Sequence, residues 1–158
     1  EELGALSHPV AIGGLTQALR DHALNVREAA VDALGRIGAS EATASLAAAL
    51  FDATSGVQGP AARALGRIHN VESLQALLKN VRDTHSTALA ETIDSLVEIG
   101  DDIAILPLVC LFHEVEDVAL RNRIAAALAK LSKVDSVEEV IDMMLARRPI
   151  DRTLPVVK

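Results

Sequence analysis

The side chains in this chain that could carry chemistry are few, and their spacing is more telling than their number. Five histidines and one cysteine are the first candidates for metal or nucleophilic work. His8, His22, His69, His85 and His113 are scattered so that no two lie three or four residues apart, the separation that turns two imidazoles toward one metal from a single helix face. Cys110 sits in the apolar run Leu106-Pro-Leu-Val-Cys-Leu-Phe112 with no base beside it, so it reads as a small buried hydrophobe. No Gly-x-Ser-x-Gly elbow, phosphate-cradling glycine loop or Cys-x-x-Cys pair occurs. Asp101 and Asp102 stand where a helix would be capped. We therefore expect no catalytic residue, no metal and no cofactor, and look to the charges for function.

Those charges are positioned by a repeat. Leu3, Leu34, Leu65, Leu96 and Leu128 form one column, and Leu6, Ile37, Ile68, Ile99 and Leu131 a second, with a period of 31 residues and one slip to 32. Two more columns run through Leu15, Leu46, Leu77, Leu108 and Val140, and through Leu19, Leu50, Val81, Phe112 and Met144. Self-similarity of this kind marks a stack of units, none of which can bury its apolar face until a neighbour covers it. Half of the residues are apolar, yet Phe51 and Phe112 are the only aromatics. Leu, Ile, Val and Ala must fill the interior, and alanine-rich runs such as 42–50 favour helix over strand. The expected fold is all-α, an α-solenoid of about five helix pairs over residues 1–158, with a partial repeat at 1–8, repeats at 9–38, 39–69, 70–100 and 101–132, and a partial repeat at 133–158. The incomplete end units lead us to expect either a segment of a longer solenoid or degenerate end repeats.

Each unit reads as a first helix (A) and a second helix (B) joined by a short turn. In the unit 9–38, Pro9 fits the first turn of helix A and Gly38 the end of helix B. In the next unit, Ser55 and Gln58 could form a capping box, and Pro60 would kink or delay helix B. The slip falls in His113-Glu-Val-Glu-Asp117, expected to be a surface adjustment.

The segment Val26-Arg-Glu-Ala-Ala-Val-Asp-Ala-Leu-Gly-Arg-Ile-Gly38, repeated in Gln58-Gly-Pro-Ala-Ala-Arg-Ala-Leu-Gly-Arg-Ile68, resembles the second helix of short HEAT repeats of the phycobilisome-lyase type. The similarity weakens in later units, where Gly35 and Gly66 become Val97 and Ala129. The resemblance implies a right-handed solenoid that binds protein partners. Some members of the group are subunits of bilin lyases. One branch is a di-iron hydroxylase with repeated His-Glu pairs, which His113-Glu114 alone cannot reproduce. The family's turn aspartate and helix B arginine match Asp21 and Arg27, implying an ion pair that decays to Asp52 with Gln58 and Asp83 with Leu89.

In stacked helix pairs the B helices form an inner, concave surface whose solvent-facing positions recur every four residues. Here these are Glu28, Asp32 and Arg36; Gly59, Arg63 and Arg67; Ala90, Asp94 and Glu98; and Asn122, Ala126 and Lys130. Read straight across the stack, Arg63 falls between Asp32 and Asp94, and Arg67 between Arg36 and Glu98. This pattern is either a ladder of exposed salt bridges or a recognition surface in which Arg36, Arg63 and Arg67 dock an acidic partner segment. Asp32, Asp94, Glu98, Asn122 and Lys130 would complete it. We expect a non-catalytic protein-interaction scaffold, with a bilin-lyase subunit or chaperone-like factor for phycobiliproteins as the alternative. A net charge of −7 opposes nucleic-acid binding, and the basic residues Arg147, Arg148, Arg152 and Lys158 read as a solvated end. There is no apolar run long enough for a bilayer and no cysteine pair; a cytoplasmic location off the membrane is the expectation, not determined because the chain begins with Glu1 instead of methionine, and the oligomeric state is left open.

Overall fold

The computed structural model describes residues 2–52 and 54–132. Among the described residues eight α-helices follow one another: α1 (Glu2–Ala18), α2 (Leu24–Ile37), α3 (Thr43–Ala49), α4 (Ser55–Ile68), α5 (Val71–Asn80), α6 (Leu89–Ile99), α7 (Ile105–Glu114) and α8 (Val118–Ser132). Short 3-10 turns at Ser40–Ala42 and Asp102–Ala104 lead into α3 and α7. No strand occurs among the described residues. The even-numbered helices pack in succession, α2 on α4, α4 on α6 and α6 on α8, and each odd-numbered helix packs on the even one after it. The chain is therefore a stack of helix pairs in two layers. Val140, Met144 and the basic residues Arg147, Arg148, Arg152 and Lys158 lie outside the described residues.

The leucine columns form the spine. Leu34, Leu65 and Leu96 in helix B, and Leu46, Leu77 and Leu108 in helix A, are wholly buried. Ile37, Ile68 and Ile99 pack at the edge of this core. Where these columns repeat, so does the turn chemistry. Asp21 Oδ1 accepts the Ala23 amide at 2.8 Å, Asp52 Oδ1 the Thr54 amide at 2.8 Å, and Asp83 Oδ1 the His85 amide at 3.1 Å. Each aspartate thus closes an Asx turn between helices A and B. In the fourth unit Glu114 holds that column, and Asp117 takes over, its Oδ1 accepting the Leu120 amide at 2.6 Å as α8 begins. The slip is the extra residue this handover requires, and its charged side chains are exposed.

Helix B ends on a left-handed residue in three successive units: Gly38 (φ 67°), His69 (φ 54°) and Gly100 (φ 72°). At His69 the strain of a side chain in that region is met by its ring, whose Nε2 donates to the Glu98 carbonyl of the next unit at 3.1 Å. Ser7 holds this column one unit earlier, with no such preference, and there the chain does not turn. Instead α1 runs unbroken from Glu2 to Ala18 through Pro9. This corrects the expected boundary at Pro9, at the cost of the one helical hydrogen bond that proline cannot donate. Pro60 likewise sits inside α4, which starts five residues earlier, at Ser55, so it does not delay the helix. The N-cap of α4 is Thr54, and the Gln58 amide goes elsewhere. The capping box occurs instead at Asn70 and Ser73, and Asn70 Nδ2 also reaches the buried Thr43 hydroxyl of the preceding unit at 2.8 Å.

A second polar knot lies inside the third unit. Asn80, 1% exposed, exchanges hydrogen bonds with Ser86 Oγ at 2.9 and 3.1 Å and accepts from the fully buried Thr92 hydroxyl at 2.8 Å. Asn80→Ala would leave that hydroxyl without a partner, which costs about 1–3 kcal/mol. We expect the loss in urea unfolding, together with faster amide exchange in the turn that Ser86 braces.

Candidate interaction surface

Of the solvent-facing positions named from the sequence, Glu28 and Ala90 are half-buried, whereas Asp32, Arg36, Arg63, Arg67, Asp94, Glu98, Asn122 and Lys130 are all solvent-exposed. Gly59 is not. It is buried, and a Cβ there would meet the Glu91 carboxylate at 3.1 Å. Arg36, Arg67 and Lys130 occupy the last turns of α2, α4 and α8, where a cation also complements the helix dipole.

The lateral ladder does not run straight across the stack. Arg63 Nη1 pairs with Glu91 Oε1 at 3.5 Å, not with Asp32 or Asp94. Asp94 is taken by Arg123, 29 positions further on. Neither Glu91 nor Arg123 falls on the solvent-facing positions that the repeat defines. His69 and Glu98 are also 29 apart, and a Cβ on Gly35 or Gly66 would strike Ala64 or Ser95. Neighbouring B helices are offset by part of a turn, and helical side chains lean toward the N-terminus. A residue therefore meets a partner two or three positions short of its own repeat equivalent. A spacing near 29, not 31, was the signal that would have found these pairs.

At the solvent-facing helix B positions this offset leaves two guanidinium groups without a carboxylate. Among the described residues Arg36 and Arg67 have no carboxylate within ion-pair distance. They sit at the same repeat position on α2 and α4, which approach closely because Gly35 has no side chain to hold Ala64 away. Exposed pairs such as Arg63 with Glu91 contribute roughly 0–1 kcal/mol, so this surface adds little to the stability of the stack.

At the rim, Arg27 has a different role from the one the resemblance implied. Its Nη1 donates to the main-chain carbonyls of Asp21 (2.9 Å) and His22 (3.2 Å), and its Nη2 to Thr54 Oγ1 (2.7 Å). Its ion-pair partner is Asp52 of the next unit, with Nε 3.4 Å from Oδ2. The Asp21 carboxylate is spent on its own turn and makes no ion pair with Arg27. One unit on, Gln58 repeats the pattern, donating from Nε2 to the Asp52 carbonyl at 2.5 Å and accepting from the Thr87 hydroxyl at 2.6 Å. Leu89 ends the series. A groove of about 430 Å³ between α1 and α3 is walled by Arg20, Arg27 and Asp52; both terminal nitrogens of Arg27 are engaged, while its buried Nε has no hydrogen-bond partner.

On the other layer Cys110 is exposed, correcting the expectation that it is buried. The outer face of α7 is itself apolar, so apolar neighbours did not signal burial. Asp101 does cap, its Oδ1 accepting the Ile103 amide at 3.0 Å. Among the described residues no three metal-ligating side chains cluster, and no helix is long and apolar enough to cross a membrane.

A two-layer stack of helix pairs with turn aspartates, buried leucine columns and an exposed charged face defines an α-solenoid. The family model for HEAT repeats matches residues 1–59, and that for the PBS lyase HEAT-like repeat matches residues 57–83. The chain is a HEAT-like repeat protein of this type. HEAT repeats generally mediate protein–protein interaction. No curated protein matches the chain.

Proposed function

We propose that this chain is a non-catalytic interaction scaffold that receives an acidic segment of a partner protein on its helix B face, with Arg36 and Arg67 as the primary contacts. The observation carrying this reading is the pair of exposed, uncompensated guanidinium groups in register on α2 and α4. A planar fork that no intramolecular carboxylate occupies can take a partner carboxylate bidentately. Arg63, held by Glu91, plays a supporting part, and Asp32, Asp94, Glu98, Asn122 and Lys130 form a mixed rim that sets register. No tryptophan or tyrosine is available as an anchor, so contact through this face is polar and salt-sensitive.

The test is fluorescence anisotropy with a labelled glutamate-rich peptide at low and at physiological salt. Arg36→Glu with Arg67→Glu is expected to weaken binding by more than about tenfold, or 1.4 kcal/mol, with an unchanged circular dichroism spectrum. Arg63→Ala should have a much smaller effect. Equal affinity in the double variant would remove these arginines from the site. The PBS lyase HEAT-like match over residues 57–83 supports a second reading, a subunit of a bilin lyase or a chaperone-like factor for phycobiliproteins. Stable visible absorbance after incubation with a linear tetrapyrrole would favour that reading over the first.

A further inference from the structure

The outward face of helix A changes character in the fourth unit. In α5 its three positions are Glu72, Gln75 and Lys79, all exposed although the next unit is stacked in place. A following unit therefore does not cover these columns. One unit later the same positions hold Ile103 (57% exposed), Leu106 (54% exposed) and Cys110, also exposed. Spacings of three and four place them on one face, making an apolar stripe along α7 and the turn leading into it.

Along the chain, the charges that flank this stripe are all of one sign, and Lys79, in the Cys110 column of α5, is drawn over the Phe51 ring at 4.9 Å. Asp101 and Asp102 lie before it, Glu114, Glu116 and Asp117 after it, and all are exposed. The nearest cation beyond α7, Arg121, is drawn over the Phe112 ring, 4.6 Å from its centroid. A second copy of the chain, laid stripe to stripe in either direction, would bring carboxylates against carboxylates, and an anionic membrane would be repelled in the same way. We propose that the stripe docks an amphipathic helix of a partner protein, apolar on one face and carrying Lys or Arg at both ends. With three apolar side chains the contact is small, so the terminal carboxylates supply orientation and association rate. This surface lies on the opposite layer from Arg36 and Arg67 and selects a partner segment of opposite charge, so it stands or falls separately from the scaffold reading above.

Because the chain has one cysteine, alkylation by a small neutral maleimide reports on the stripe alone. The probe is an amphipathic peptide of leucine and lysine, about five helical turns long, with a control in which glutamate replaces lysine. The lysine peptide should slow labelling of the full chain saturably, roughly tenfold at ten times its dissociation constant, and the glutamate peptide should not. Leu106→Asp should abolish protection, with Ile103→Asn as a second variant if the first perturbs the fold, and the Arg36→Glu, Arg67→Glu variant should retain it. Absence of protection by the lysine peptide, or equal protection by both peptides, overturns the proposal. So does slowing by raised protein concentration alone, which would mean self-association, or slowing by anionic phosphatidylglycerol vesicles but not by the peptide.

Discussion

Gly66→Val is expected to be the most damaging single substitution on the helix B layer. A Cβ at Gly66 would lie 2.7 Å from Ser95 Cβ, 2.8 Å from Ser95 Oγ and 3.1 Å from Ser95 Cα. Ser95 cannot move aside cheaply, because it is 2% exposed and its hydroxyl donates to the Ala62 carbonyl across the interface at 3.0 Å. The two helices must separate, breaking that bond and opening the leucine spine on both sides. Overpacking of this kind costs about 1–3 kcal/mol, and with the cross-helix hydrogen bond lost we place Gly66→Val at the top of that range. The few tenths of a kcal/mol that valine gains over glycine in helix propensity do not offset it. Gly13→Ala is the matched control: a Cβ there meets nothing within 4 Å, so it should stabilise by up to about 1 kcal/mol. Urea unfolding of the two variants should move in opposite directions. Wild-type stability in Gly66→Val would mean that α4 and α6 do not approach as closely as Gly66 allows.

The two glycines also show how much was legible in the sequence. Gly35 and Gly66 stood out as part of a repeated motif, but their reason lies in a neighbour nearly one repeat away that no local pattern names. The leucine columns needed no such neighbour, since period alone marks what a stack must bury, and Leu34, Leu65 and Leu96 are fully buried. Charge pairing is not legible in the sequence, for a geometric reason. Reading straight across assumes in-phase helices, whereas the offset hands Arg63 to Glu91 and Asp94 to Arg123. The separate roles of Asp21 and Arg27 are hidden for a chemical one. An aspartate two residues before an amide closes its own turn first, leaving the arginine to find the next unit's carboxylate. At Ser7 the clue was an absence: without a residue suited to the left-handed region, the chain had no reason to turn before Pro9.

Arg27→Leu is expected to show what joins the first units at their rim. The Arg27 side chain is 14% exposed, and its guanidinium bonds two carbonyls of its own turn and Thr54 of the next while facing Asp52. Leucine would leave the Asp52 carboxylate, itself 22% exposed, without its counter-charge. Removing one partner of a fully buried pair costs several kcal/mol and of an exposed pair almost nothing, so this intermediate case should cost about 2 kcal/mol. Arg27→Lys should recover little, because an ammonium cannot span both turns. The pH dependence separates the carboxylate's share. Asp52 is held below its ordinary value of 3.8, first by the Thr54 hydroxyl, then by the Thr54 amide and by Arg27, against an opposing effect of burial. A carboxyl depressed in the folded state stabilises above its unfolded value, and that stabilisation is lost as the pH falls through the folded value. Asp52→Asn keeps the Asx turn and removes the charge. Its deficit relative to wild type should be constant from neutral pH down to about 4 and shrink below that. In the Arg27→Leu background the deficit should be smaller throughout, since part of what depresses Asp52 has gone. Unfolding free energies of the four chains across that range would read the coupling directly; a deficit that grows below pH 4, or is absent at neutral pH, would mean that Asp52 is not a stabilising carboxylate in this rim.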